Sequence, residues 1–188
     1  MTNSRLFAAI GLAALATGAG LWHLAKPTRS PATAESPVST EAPAISPTAL
    51  YATTFQDPSG REQSLGQFQG RVLVLNFWAT WCGPCREEMP AFNRLHARWA
   101  ERGVQFLGIS DEPGATAARF GAGLGIGYPL WTGGDQVSEL SRRLGNRRGV
   151  LPHTVILSPR GEVIEQRVGP YTEDELDKRL TGISSKAS

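Results

Sequence analysis

The sequence predicts an α/β domain: a mixed central sheet with helices on both faces, extended on its N-terminal side by a β-hairpin. Three observations lead there. Two nearly continuous apolar runs, Arg71 to Phe77 and Val104 to Ser110, have the unbroken, β-branched character of strands buried on both faces. Segments of helical periodicity stand between and after them, so the strands are joined by crossovers and pair in parallel. A turn cluster, Ser158-Pro159-Arg160-Gly161, then separates Val155 to Leu157 from Glu162 to Val168 and adds an antiparallel hairpin.

Taken in order, the folded region begins near Leu50. Tyr51 to Gln56 and Arg61 to Leu65 flank Asp57-Pro58-Ser59-Gly60 and read as the N-terminal hairpin. Gly83 to Arg102 reads as a helix, because Met89, Phe92, Leu95 and Trp99 recur every three to four residues. Pro90 lies inside it and removes a backbone donor, so a kink is expected there. Ala115 to Ala122 is a weaker helix and Gln136 to Leu144 a stronger one. The last helix opens on Thr172-Glu173-Asp174-Glu175, a capping box, and buries Leu176, Leu180 and Ile183. Gly121, Gly123, Gly125 and Gly127 alternate without a preceding strand, so they read as a flexible loop and not as a phosphate cradle.

The chain ahead of this region has two parts. Residues 1–26 hold an apolar stretch, Leu6 to Ala25, flanked by Arg5 and Lys26. At about 20 residues it is long enough to cross a bilayer as a helix. A retained membrane anchor is expected, and removal as a signal peptide at Ala14-Leu15-Ala16 is the competing reading. Residues 27–49 are rich in Pro, Ser, Thr and Ala, which cannot bury enough surface to offset their ordering, so they read as a disordered linker. Residues 50–188 form the folded domain.

A length of 188 residues suits one catalytic domain with such extensions. The net charge of +2, without basic runs interleaved with aromatics, argues against nucleic acid as a partner. Only two cysteines are present, in Trp81-Cys82-Gly83-Pro84-Cys85. A disulfide between them closes almost no loop and adds little stability, so the pair makes more sense as chemistry.

Thiolate is the reactive form of cysteine, and a helix N-terminus lowers its pKa. Cys82 falls where strand gives way to helix, so unpaired N–H groups and the helix dipole favour its charge. It is the expected nucleophile. Cys85, one turn further in, is placed to attack a mixed disulfide formed at Cys82. Pro84 lies in the first helical turn, where its missing donor costs nothing, and Gly83 lets a partner's backbone approach. Such a pair exchanges two electrons with no cofactor beyond its own redox-active disulfide.

A Cys-x-x-Cys pair also has other uses. Structural zinc needs four ligands and no second pair is present; covalent haem needs a His where Arg86 stands. A copper chaperone using the same two sulfurs stays open, as do a disulfide oxidase or isomerase and a peroxidase.

Leu75-Asn76-Phe77-Trp78-Ala79-Thr80-Trp81-Cys82-Gly83-Pro84-Cys85-Arg86-Glu87-Glu88-Met89-Pro90 resembles the active-site segment of the TlpA/ResA-like membrane-anchored thioredoxins. By element order the resemblance extends over roughly residues 50 to 182. It implies a thioredoxin-like fold and extracytoplasmic thiol-disulfide oxidoreductase activity, chiefly disulfide reduction in cytochrome c maturation or copper-centre assembly. The implied substrates are apocytochrome c or a copper-site protein, and the implied electron donor is a membrane thiol reductase of the DsbD or CcdA type. A single N-terminal span facing the domain to the periplasm is implied as well.

The resemblance also assigns residues. Trp78 and Trp81 match aromatics beside the redox pair, and Trp81, Gly83, Pro84, Leu151 and Pro152 match substrate-contacting positions. Asn76 stands where ordinary thioredoxin has a buried Asp. Glu88 matches an acidic residue three positions after the second cysteine and is the candidate proton partner of Cys85; a solvated charge is its competing reading. Pro152 matches a cis proline that faces the dithiol and leaves the Leu151 backbone free to pair with substrate. His153 departs from the Thr usual after that proline. Tuning of the Cys82 thiolate, contact with substrate, and a partly exposed position without a role are all open for it. Arg142, Arg143, Arg147 and Arg148 read as a solvated charged face or a rim that attracts acidic partners.

Overall fold

The computed structural model describes residues 45–187. The expected anchor at 1–26 and the linker up to residue 44 lie outside the described residues. Among the described residues no helix is long and apolar enough to cross a membrane.

The chain enters through α1 (Pro47–Tyr51), capped by Ser46, whose hydroxyl accepts from the Ala49 N–H. The hairpin β1 (Thr54–Gln56) and β2 (Glu62–Ser64) follows, then a 3-10 turn over Leu65–Phe68. Next come β3 (Val72–Phe77), α2 (Gly83–Trp99), β4 (Val104–Ser110), α3 (Gly114–Gly123), β5 (Leu130–Thr132) and α4 (Asp135–Arg143). The hairpin β6 (His153–Leu157) and β7 (Val163–Val168) precedes the last helix, α5 (Glu173–Ala187). The seven strands form one sheet in the order β2-β1-β5-β4-β3-β6-β7. β3, β4 and β5 are parallel, and β6 and β7 continue the sheet antiparallel.

Alternation along the central strands decides what each face carries. Val72 and Val74 of β3 and Ile156 of β6 pack with Met89, Phe92, Leu95, Leu176 and Leu180, under α2 and α5. Leu73, Leu75, Phe77, Val155 and Leu157 pack on the opposite face with Val137 and Leu140 of α4 and with Leu144, its C-cap. By the same parity Asn76 and Thr154 belong to the α2 face, whereas Phe77 and His153 belong to the α4 face. The helices α2 and α5 are also joined at their outer edge, where Trp99 Nε1 donates to Asp177 at 2.7 Å and Arg94 pairs with Glu173 at 2.7 Å.

Several expectations change in detail. The boundary expected at residue 50 falls inside α1, because Ser46 and Pro47 start a helix whose Leu50 and Tyr51 are buried. Tyr51 is thus helical, and its hydroxyl donates to Pro159 O at 3.1 Å. β5 was not foreseen; three residues become a strand by pairing with β4 on one side and with β1 at Gln56↔Thr132 on the other. The glycine-rich stretch is not all loop, since Gly121 and Gly123 lie within α3. The α2 helix continues through Pro90 to Trp99 and ends in a 3-10 turn. The capping box forms as expected: Glu175 Oε2 accepts from Thr172 N at 3.0 Å, and Glu175 N donates to Thr172 Oγ1 at 3.3 Å.

Candidate active site

Cys82 is the N-cap of α2, with extended backbone, and its sulfur accepts from the Cys85 N–H at 3.3 Å. A thiolate at this sulfur would meet the same N–H and the positive end of a helix seventeen residues long. The two cysteines are joined in a disulfide. Cys85 is fully buried and Cys82 is 5 % exposed, so the first sulfur is the accessible one. Gly83 has open space where a side chain would stand, and Pro84 occupies the first turn, leaving this rim low. Trp81 projects beside it, 72 % exposed.

Glu88 lies one turn inward on the buried side of α2, which excludes a solvated charge. Its Oε1 accepts from Asn76 Nδ2 at 2.8 Å and its Oε2 from the Tyr171 N–H at 3.0 Å. Asn76 Nδ2 also donates to Thr154 Oγ1 at 3.1 Å, while Asn76 Oδ1 has no partner among the described residues. Burial pushes the Glu88 carboxyl up to about 7, although the two hydrogen bonds and Arg167 pull the other way. Such a group takes up and releases a proton near neutrality.

On the α4 face, β3 and β6 pair antiparallel with Phe77 opposite His153. The segment leaving β3 toward Cys82 and the segment entering β6 through Leu151-Pro152 therefore meet at one end of the sheet. The Leu151–Pro152 peptide bond is cis, as expected. Pro152 is buried and Leu151 half-buried against both core clusters.

His153 is fully buried, not partly exposed. Its ring stacks on Phe77 with centroids 5.2 Å apart, Nδ1 meets Ser141 Oγ at 3.0 Å, and Nε2 meets Gln166 Oε1 at 3.2 Å. Burial pushes its pKa down to about 4 against the upward effect of Gln166, so the imidazole is neutral under ordinary conditions. Arg142 is exposed and pairs with Glu139 at 3.0 Å.

Residues that the sequence did not single out surround the site. Glu112 grips the loop before Cys82: its oxygens accept from Thr80 N and from Thr80 Oγ1, each at 2.6 Å. A small cavity of about 80 Å³ beside the dithiol is lined by Trp78, Trp81, Ser141, Asn146 and Leu151 among others. Glu112 carries no local signal, because the segment it holds, thirty-two positions away, is brought near only by the sheet.

A dithiol at a helix N-cap, a cis proline across from it and a mixed sheet with helices on both faces define a thioredoxin-like thiol-disulfide oxidoreductase. Residues 38–166 match the AhpC/TSA family, and the chain belongs to that family. It is 32% identical over 130 residues to the thiol-disulfide oxidoreductase ResA of Geobacillus kaustophilus, covering 68% of this chain and 71% of that relative. The ResA of Bacillus thuringiensis is 31% identical over 129 residues, covering 68% and 72%. Among solved structures, a thiol:disulfide interchange protein of the thioredoxin family from Chlorobium tepidum superposes with a TM-score of 0.62 at 26% identity, covering 76% of this chain and 97% of that one.

Proposed function

We propose that this protein is an extracytoplasmic disulfide reductase serving cytochrome c maturation or copper-centre assembly. The reduced Cys82 thiolate attacks a substrate disulfide, forming a Cys82–substrate bond and releasing one substrate sulfur as thiolate. Cys85 then gives its proton to Glu88 and attacks Cys82 Sγ. That step forms the Cys82–Cys85 bond and expels the second substrate sulfur, which recovers the proton from Glu88. Two electrons pass to the substrate without any added cofactor. Trp81, Gly83 and Pro84 form the rim that receives the substrate, and the Leu151 backbone beside Pro152 pairs with its extended chain.

The observation that carries this reading is the buried Glu88 carboxyl, held by Asn76 and Tyr171 on the helix that bears both sulfurs. A general proton acceptor near neutrality suits resolution of a mixed disulfide by an otherwise protonated inner thiol. The implied substrates are apocytochrome c or a copper-site protein, and a DsbD- or CcdA-type membrane thiol reductase returns the electrons. Residues 1–26 serve as the single membrane anchor, with the domain on the periplasmic side.

The test is Cys85→Ser expressed as the full chain, followed by identification of what stays disulfide-linked to Cys82. Trapped apocytochrome or a copper-site protein supports the reading. A reduction potential as high as that of strong oxidants, about −120 mV, would make the protein an oxidase and overturn the reductase direction.

A further inference from the structure

We propose that Asn146, Ser141 and His153 form a relay of positioning residues that fixes the 146–151 loop for docking of a disulfide-bonded polypeptide beside Cys82. The inference rests on the reading above in which the Leu151 backbone meets substrate.

One arrangement of donors and acceptors, running in a single direction, satisfies every bond in the set. Asn146 Oδ1 accepts from Val150 N at 3.1 Å and its Nδ2 donates to Val150 O at 2.9 Å, so the amide closes the loop that leads into Leu151. The second Nδ2 hydrogen goes to Ser141 Oγ at 3.1 Å. The Ser141 hydroxyl hydrogen then has His153 Nδ1, 3.0 Å away, as its acceptor. In that arrangement His153 carries its own hydrogen on Nε2, where Gln166 Oε1 accepts at 3.2 Å. Asn146, Ser141 and His153 are all buried, so water does not substitute for a missing partner.

The relay encloses the residues it orders. One end holds the loop just before Leu151, and the other is the residue just after Pro152. Ser141 belongs to α4 and Gln166 to β7, so the loop is referenced to two elements that pack on the sheet. A protonated imidazole would direct a second hydrogen at Ser141 Oγ, and the serine would lose its acceptor. Burial, which holds His153 neutral, keeps the chain intact. A Thr side chain at this position, with a single hydroxyl and no ring, could not span Ser141 and Gln166.

The experiment compares polypeptide and small disulfides with Ser141→Ala, Asn146→Asp and the double variant, alongside the native protein. An oxidised Cys-x-x-Cys-His peptide and insulin are the polypeptides; 2-hydroxyethyl disulfide is the small substrate. Each single variant removes two of these hydrogen bonds and should raise KM for a polypeptide disulfide about tenfold, with kcat and small-disulfide reduction unchanged. The double variant should be no worse than the weaker single, because both break one chain. Nitrogen NMR of the native protein should show His153 as the Nε2–H tautomer. Parallel losses on all substrates, additive losses in the double variant, unchanged KM, or an Nδ1–H tautomer would each overturn the relay. A native protein inert toward both polypeptides would instead sink the functional reading, which separates the two failures.

Discussion

The side-chain nitrogen of Asn76 donates to Glu88 Oε1 at 2.8 Å, tying the penultimate residue of β3 to the inner face of α2. Both groups are buried, so the bond places a titratable carboxyl in a poorly solvated site, with a neutral amide as partner where a second carboxylate would repel it.

Proton transfer gives the first expectation. Glu88→Gln keeps the shape and one of the two accepting oxygens, sets an amide N–H against the other donor, and accepts no proton from Cys85. Resolution of a preformed Cys82 mixed disulfide should slow about 100-fold, the size of a lost general base, and its inflection near pH 7 should vanish. Stopped-flow rates across pH would show this. A profile matching that of the native protein would remove Glu88 from the chemistry.

Stability should carry two opposed pH dependences in the oxidised protein. Glu88 is raised from 4.5 to about 7, so in that window the native state keeps a proton the unfolded chain has released. Stability from this group therefore falls as pH rises from 4.5 through 7. His153 is lowered from 6.5 to about 4, so there the unfolded chain holds the extra proton and stability rises with pH. The two nearly cancel where they overlap. Subtracting Glu88→Gln stability from native stability isolates the carboxyl: the difference should fall by up to about 1.4 kcal/mol per pH unit between 4.5 and 7, then level. Urea titrations giving a flat difference would mean that Glu88 titrates as an exposed acid.

Asn76→Asp tests the neutral partner. It sets a second carboxyl within hydrogen-bonding distance of Glu88, and two such groups do not both ionise readily. The inflection of thiol exchange should move upward by about one pH unit or more, and stability at neutral pH should drop. Superimposable pH profiles would show that the amide does not influence the carboxyl.

Gly145→Ala addresses the loop end of α4. Gly145 has φ of +110°, and an added Cβ would stand 2.9 Å from the Gln166 side chain. Destabilisation of about 1–3 kcal/mol is expected from the backbone conformation, with further disturbance of Gln166. Denaturant midpoints measured on the oxidised protein would check it; a change within about 0.5 kcal/mol, the range of an ordinary surface substitution, would refute the close approach.

What the sequence made legible follows the range of each interaction. Val72 to Phe77 and Val104 to Ser110 announce themselves because strands buried on both faces need unbroken apolar runs. The α2 periodicity, the Thr172–Glu175 cap and the position of Cys82 at a strand-helix junction are likewise local. Leu130–Thr132 was missed because three residues after Pro129 carry no period, and only pairing with two neighbours makes them a strand. Pro47–Tyr51 was missed although Ser46-Pro47 is a start signal, since the surrounding composition pointed to linker. At the site, the burial of Glu88 depends on Tyr171, eighty-three positions away, and that of His153 on α4 and β7. No window of sequence contains those contacts.

The hydrogen bond from Tyr51 to Pro159 has a geometric consequence. The turn after β6 lies where β3 begins, since Leu157 faces Leu73, whereas Cys82 follows the point where β3 ends. The six residues of β3, at about 3.3 Å each, put these two poles roughly 20 Å apart. Gly161 in that turn sits so tightly under Tyr51 that a Cβ there would approach the ring to 2.8 Å, so the entry point is pinned. The helix α1 therefore stands at the pole remote from the sulfurs. The separation of the dithiol from α1 is thereby set by the length and polarity of β3.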